Sequence, residues 1–581
     1  MKNYNTYIYK AILLFVLVFN ASCDSDFLET PPKDLIEASD FFKTEDQLKA
    51  YVNGFYNMLP GQEVYEEDAS SDNIIPLLVS DRVRGHRLTP VASGTGGWSW
   101  GNLRTINFFL DNIANVNDAD LELKYAAYAK FFRAYFYYNK VKTFGDVPWY
   151  DSVLSAGDEG LFKARDSRKI VMENVLEDIN AAIDELPSEV ELNQITKYTA
   201  LILKARICLF EGTFRKYHNL GDYEILLEEA ASAADELIGS GAYELYNNGN
   251  VENSYRELFD VLNQNTTETI LARDFNADFI THNIANLATS PTNGSYGVAK
   301  DMINSYLLKD GSRFTDIPNY DVIEFYEEMQ NRDPRLTQTV AGPNFTVYLE
   351  ETPEIVNLSG TTTGYRVIKS ISTRDQWGNK ASVNDIVIFR YAEALLIFAE
   401  AKAELGTITQ IDLDKSINKL RDRVGMPHLI ATEANANPDT YLAEMYPNVE
   451  SGSNKGVILE IRRERRVEMF MEGLRWDDLM RWKEGKKLEK PFLGIYFSGL
   501  GNHDFDNDGN ADVYLHDGGA SGAAGIPNII NVNERELTNG TSGNFIPFNQ
   551  TVVFDEDKDY LYPIPAEELI LNTNLSQNPN W

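Results

Sequence analysis

Two cysteines in 581 residues, Cys23 and Cys208, leave nothing from which a disulfide framework could be built. Histidine is nearly as scarce. The six (His86, His218, His282, His428, His503, His516) are dispersed, and no HExxH, GxSxG or GxxxxGK[ST] pattern occurs, which removes the commonest readable metal, serine and nucleotide chemistries. Positive charge is short as well: 53 Lys and Arg stand against 88 Asp and Glu, a formal net charge of −35. Phosphate binding needs a cationic surface that releases counterions, so a nucleic-acid partner is excluded and direct adhesion to anionic lipid is disfavoured. No apolar run is long enough to span a bilayer, the longest candidate being Ala11 to Phe19. What is present is ordinary globular text, 43% apolar and 24% charged, with 31 Tyr, 30 Phe and 7 Trp that serve either a core or a stacking surface for uncharged ligands.

The first residues set an expected compartment. Lys2 and Lys10 precede the apolar stretch Ala11–Phe19, and Asn20-Ala-Ser-Cys23 follows as a small-residue processing site. This layout is a lipobox, in which Cys23 is acylated and becomes the first mature residue, although Asn20 stands where bacterial lipoboxes usually have Leu. Acyl chains contribute about 0.8 kcal/mol per buried CH₂, so a multiply acylated Cys23 holds an otherwise water-facing body on a membrane through its lipid alone. Cys208 lies in the periodic run Tyr198–Phe210, where a small thiol packs a core.

Helical periodicity dominates from about 40 to 240: apolar residues recur at spacings of three and four in Leu121–Val141, Ile170–Leu186, Thr196–Phe214 and Tyr223–Ile238. Small residues alternate with large aromatics in 126–138, the packing habit of tetratricopeptide-type helix pairs, although no clean 34-residue repeat is visible. From 246 to 385 Asn, Thr, Gly and Pro accumulate around short β-rich pieces; helical text returns at Phe389–Leu405, Leu413–Val424 and Val457–Trp482. The expected organisation is a signal peptide (1–22), a lipidated tether (23–40), a helical part (41–245), a loop-rich insertion and ligand face (246–385), a second helical part (386–489), a Gly/Asn/Asp-rich excursion (490–560) and a wrapping tail (561–581). The fold class is mainly α, a tetratricopeptide-like scaffold with large loop-rich insertions.

Ordered motifs then accumulate: Asp26-Phe-Leu-Glu-Thr-Pro-Pro32, Trp100-Gly-Asn-Leu-Arg-Thr-Ile-Asn107, Arg133-Ala-Tyr-Phe-Tyr-Tyr138, Phe144-Gly-Asp-Val-Pro148, Arg332-Asp-Pro-Arg-Leu336, Arg390-Tyr-Ala-Glu-Ala-Leu-Leu396, Glu472-Gly-Leu-Arg475, Asp478-Leu-Met-Arg-Trp482 and Tyr562-Pro-Ile-Pro565. In this order, over almost the whole chain, they resemble the SusD/RagB family of glycan-binding outer-membrane lipoproteins. The resemblance implies a surface-exposed protein that binds a glycan, acts as lid to a SusC-like TonB-dependent transporter and catalyses nothing. Peptide import is the alternative within such systems. An exported glycosidase would need two carboxylates held roughly 5 to 10 Å apart, and nothing in the sequence singles out such a pair. The charged motif residues Glu464, Arg465, Arg466, Glu468, Glu472, Arg475 and Asp478 fall close together on helical text, where spacings of three and four make them a structural ion-pair network.

Sugars offer apolar C–H faces and rings of hydroxyls, so a site needs exposed aromatic rings beside planar hydrogen-bonding groups. The stretch 80–102 supplies both. Trp98, behind three glycines, is read as an exposed platform, with Arg82, Asp81 and Asn102 beside it, while Trp100 is assigned to the core. In the insertion, Tyr296 and Trp377 are aromatics among Gly and Asn and join the ligand candidates. Asp504-Phe-Asp-Asn-Asp-Gly-Asn-Ala-Asp512 is a candidate structural Ca²⁺ loop, with Asp504, Asp506, Asp508, Asn510 and Asp512 as ligands and Gly509 for the turn. Leu515 occupies the position where an EF-hand needs Glu, so the loop is of another kind.

Overall fold

The computed structural model describes residues 41–155, 157–450, 452–520 and 523–581. The export segment, Cys23 and the tether lie outside the described residues. The helices that build the scaffold are α1 (Gly101–Asn112), α2 (Ala119–Phe144), α3 (Arg168–Glu185), α4 (Lys197–Tyr217), α5 (Glu224–Gly239), α6 (Tyr391–Glu404), α7 (Lys455–Glu468) and α8 (Arg475–Arg481). Their starts are chemically marked. Asp118 accepts hydrogen bonds from the Asp120 and Leu121 amides at the head of α2, Ser167 accepts from Ile170 at α3, and Thr196 with Thr199 forms a capping box at α4.

Each helix packs on the next, α1 on α2, α2 on α3, α3 on α4, α4 on α5, and α5 on α6 across the whole insertion. Gly212 lets α4 and α5 approach, since a Cβ there would lie 2.9 Å from the Leu227 side chain. Successive helical pairs thus bury one continuous core, as in tetratricopeptide arrays. Strands β1 (Thr269–Arg273) and β2 (Ile386–Arg390) pair antiparallel and clamp the two ends of the insertion together, so it leaves and rejoins the scaffold at one place.

Two expectations are corrected. Val457–Trp482 is not one helix: it breaks between α7 and α8, where Met471 and Gly473 take positive φ of 62° and 75°. Gly473 also lies against the Val64 backbone, 2.9 Å from where a Cβ would sit, so the chain there needs glycine on two counts. The insertion and the 490–560 excursion are not separate appendages either. Phe275, Val298, Tyr306, Leu336 and Tyr365 of the first pack with Ile495, Phe497, Val513, Leu515 and Phe545 of the second in one apolar cluster.

Between this second body and the helical array lies a layer of buried charge centred on α7. Glu468 bonds Arg335, Arg390 and Arg423, while Glu464 bonds Arg335 and Arg421. Arg466 and Arg475 both reach Asp72, and Arg465 and Arg481 share Asp478. The network is structural, as the sequence implied, but its partners come mostly from distant segments rather than from the next helical turn. Burial alone would raise the Glu468 carboxyl; three guanidiniums hold it far below its usual range.

Candidate ligand-binding groove and cation loop

The irregular segments meet in a groove of about 500 Å³ bordered by Leu77, Ser295, Asn357, Thr362, Ile529 and Arg535. Its architecture follows from a small sheet: β3 (Gly501–His503) runs antiparallel to β4 (Val513–His516), and β5 (Asn528–Asn531) runs parallel to β4. Along β5 the side chains alternate, so Ile530 is buried in the shared core while Ile529 stays 49% exposed and faces out. Buried Asn528 accepts from the Leu358 amide at 2.7 Å and donates to the Val356 carbonyl at 3.1 Å, fastening the 356–362 strip to β5. The Leu77 amide donates to Gly294 O at 2.7 Å, and Thr362 donates its hydroxyl to Ile75 O, which brings the N-terminal segment into the same wall.

Arg535 closes one end of this groove. It donates from Nη1 to Leu358 O at 2.7 Å and from Nη2 to Thr361 O and Thr362 O at 2.7 and 2.9 Å, with its guanidinium 3.9 Å from the Phe545 ring centre. Burial pushes it down to about 10. Exposed leucine and isoleucine beside hydroxyl, amide and guanidinium groups suit a ligand with one apolar face and a polar edge.

A second pocket, of about 370 Å³, is bordered by Trp98, Trp100, Arg104, Tyr150, Leu161 and Glu568. The expectation that Trp98 is an exposed platform is corrected, while Trp100 packs on the edge of the main core. Trp98 is only 2% exposed, edge-on to Phe144 with ring centres 4.9 Å apart, because Lys140 donates to the carbonyls on either side of it, Gly97 O and Ser99 O. Trp100 is the half-buried ring that meets Tyr150 edge-on at 5.9 Å.

The structure does not gather the other candidates into one site. Arg82 borders a different cavity and is tied down: it donates to Ser70 O at 2.8 Å, pairs with Glu67 at 2.6 Å and stacks 4.4 Å from the Trp476 ring centre. Asp81 is exposed at the head of the helical turn Asp81–Arg84, 3.6 Å from Arg84. Asn102 is exposed on the first turn of α1. Tyr296 is 4% exposed and belongs to the shared core; its neighbour Ser295 is the residue that reaches the groove. Trp377 is half-buried between two guanidiniums, Arg366 at 4.6 Å and Arg374 at 4.9 Å, with its indole N–H on Ser372 O.

In the acidic loop, carboxylate oxygens of Asp504, Asp506 and Asp512 lie within 4.8 Å of one another. Backbone amides hold them there: Asp504 accepts from Asn507 and Gly509, Asp506 from Asp508, and Asp512 from Phe505. Asp508 stands outside the cluster, its carboxylate accepting from the Asn510 amide and side chain. Burial raises the Asp512 carboxyl, and the nearby charges of Asp506, Asp504 and Asp508 raise it further. Three hard oxygen donors in mutual repulsion are a set that a cation such as Ca²⁺ would relieve. Asp512 O also accepts from Asn528, so the loop is joined directly to the strand that walls the groove.

A family model described as the SusD family matches residues 253–581, which contain most of the charged layer, the groove apart from Leu77, and the acidic loop. The chain belongs to the SusD family. A second model, described as starch-binding associating with outer membrane, matches residues 91–207 and so takes in most of the first helices. Among curated proteins the chain is similar to two SusD-like proteins of Formosa agariphila, P2 and P38. P2 is 24% identical, with 98% of this chain and 99% of that one covered; P38 is 26% identical, with 83% and 92% covered. Among solved structures it is similar to a SusD-like protein of Bacteroides fragilis (22% identity, TM-score 0.69, covering 95% of this chain and all of that one) and to a SusD-like carbohydrate binding protein of the same species (21%, 0.69, covering 92% and all). These structural likenesses establish the SusD fold over almost the entire chain, helical array and irregular body alike.

Proposed function

We propose that this SusD-family protein is a cell-surface lipoprotein, anchored through Cys23, that captures a glycan and delivers it to a SusC-like TonB-dependent transporter as its lid, without catalysing a reaction. The observation that carries the reading is the groove between the insertion and the 490–560 excursion, where apolar Leu77 and Ile529 stand beside hydroxyl and amide groups on a rigid wall. The starch-binding description of the second matching model and the carbohydrate-binding name of one structural neighbour support the ligand class. In the same reading Asp504, Asp506 and Asp512 hold a structural Ca²⁺ that stiffens the groove wall through Asn528.

The test is affinity electrophoresis of the full chain in mild detergent through gels containing a panel of polysaccharides. At least one should retard it and be recovered uncleaved, and Leu77→Ala with Ile529→Ala should weaken retardation on the order of tenfold through lost apolar contact. Retention by no polysaccharide would overturn the reading and favour a peptide ligand, while cleavage of the bound glycan would make the protein an enzyme. Gentle outer-membrane solubilisation should co-purify a much larger β-barrel protein; recovery of the lipoprotein alone in several mild detergents would count against the partnership.

A further inference from the structure

Buried arginines in this protein are, as a rule, matched by carboxylates. Arg133 faces Asp178, Arg168 faces Glu211, and Arg390 meets Glu268, Glu468 and Glu472. Among the described residues Arg332 and Arg366 are buried without a carboxylate partner, and half-buried Arg535 shares that lack while bordering an open groove. Its partners are three carbonyl oxygens and the face of Phe545, and among the described residues it has no ion pair. The adjacent Glu534, also on the groove, accepts instead from Asn531 at 2.9 Å. A guanidinium has five N–H donors; with three engaged on carbonyls, those on Nε and one on Nη1 are left without a protein acceptor. Carbonyl dipoles compensate a cation only in part. An anion accepting from one of these free N–H groups, the Nε–H for example, would complete the balance, and a carboxylate oxygen is a strong acceptor of such a charge-assisted bond.

Resting on the groove reading above, we propose that the ligand is a glycan bearing uronic-acid residues, one of which places its carboxylate on Arg535 while its ring lies along Leu77 and Ile529. Exposed Asn357 and Ser359 border the same space and offer amide and hydroxyl groups to the sugar hydroxyls. The net charge of −35 does not oppose a single contact of this kind, because charges beyond about 10 Å are largely screened at physiological salt. It does disfavour polymers charged at every residue. The preferred ligand is therefore sparsely charged, with uronates separated by neutral sugars.

The test compares, by calorimetry on the full chain in detergent, glucuronoxylan and oligogalacturonate with their carboxyl-reduced forms and with a sulfated, uronate-free galactan. Wild type should bind a uronate-bearing glycan on the order of tenfold more tightly than its carboxyl-reduced form. Arg535→Gln should erase that difference, and Glu534→Gln should tighten uronate binding about twofold by removing a like charge from the groove. Equal affinity for native and carboxyl-reduced glycan, a preference for the sulfated galactan, or an undiminished preference in Arg535→Gln would overturn the proposal. Should Arg535→Gln fail to fold, the wild-type comparison alone decides. Binding only to neutral glycans sinks the uronate proposal and leaves the groove reading standing; binding to none of the glycans sinks both.

Discussion

At the scale of single residues, the protein keeps an unusual amount of charge out of water, and most of it is paired. Asp68 is an exception: fully buried, its Oδ2 has no hydrogen-bond partner, and burial pushes its carboxyl up to about 7. A carboxyl raised in the folded state binds its proton more tightly than in the unfolded chain, so its contribution to stability is greatest below the unfolded value of about 4 and is lost as pH rises through about 7. Asp68→Asn should therefore gain on wild type as pH rises from 4 to 8, by on the order of 2 to 4 kcal/mol at the upper end, then level off; chemical denaturation at several pH values measures it. A difference that is flat with pH would refute this account of Asp68. Trp98 carries a different lesson. Three glycines before a tryptophan are the text of an exposed loop, yet Lys140 and Phe144, more than forty residues away, draw the ring inward. Trp98→Ala should thus cost about 3 to 5 kcal/mol of stability and leave glycan affinity of the folded protein unchanged.

Elements were legible to the degree that their chemistry is local. α2, α3 and α4 start at side-chain caps and α2 to α5 follow their apolar periodicity, so all four agree with the sequence pattern within about three residues. The break between α7 and α8 was not legible, because the residue that demands Gly473 is Val64, four hundred positions away. The acidic loop lies between these cases: the spacing that marked it as a cation loop brings three of its five candidate ligands together, whereas Asp508 turns to Asn510. Calcium at millimolar concentration should raise the melting temperature of the full chain by a few degrees, and Asp512→Asn should abolish that rise, since a ligand bound only by the folded state stabilises it by about 2.7 kcal/mol at a hundred times its dissociation constant. A melting curve indifferent to calcium and to chelator would contradict the assignment.

At the scale of the whole molecule, the two largest cores, with a charged layer between them, separate holding the fold from meeting the ligand. The helical array was readable from periodicity and the family from its ordered motifs, but the site was not. Leu77, Ser295, Asn357, Ile529 and Arg535 come from segments up to 458 positions apart and meet only because the insertion and the excursion share one core. Asn528-Ile-Ile-Asn531 gives no local sign which of its two isoleucines faces outward; only the strand's alternating burial decides it. Arg535 reads in the sequence like any other arginine, since its lack of a carboxylate partner is a property of the fold. The most direct test of glycan capture at this groove is a calorimetric titration of the bound polysaccharide into wild type, Leu77→Ala with Ile529→Ala, and Trp98→Ala. The account predicts that affinity falls in the groove variant and survives in Trp98→Ala; loss of binding in folded Trp98→Ala, with the groove variant unaffected, would contradict it and move the site to the Trp100 and Tyr150 pocket.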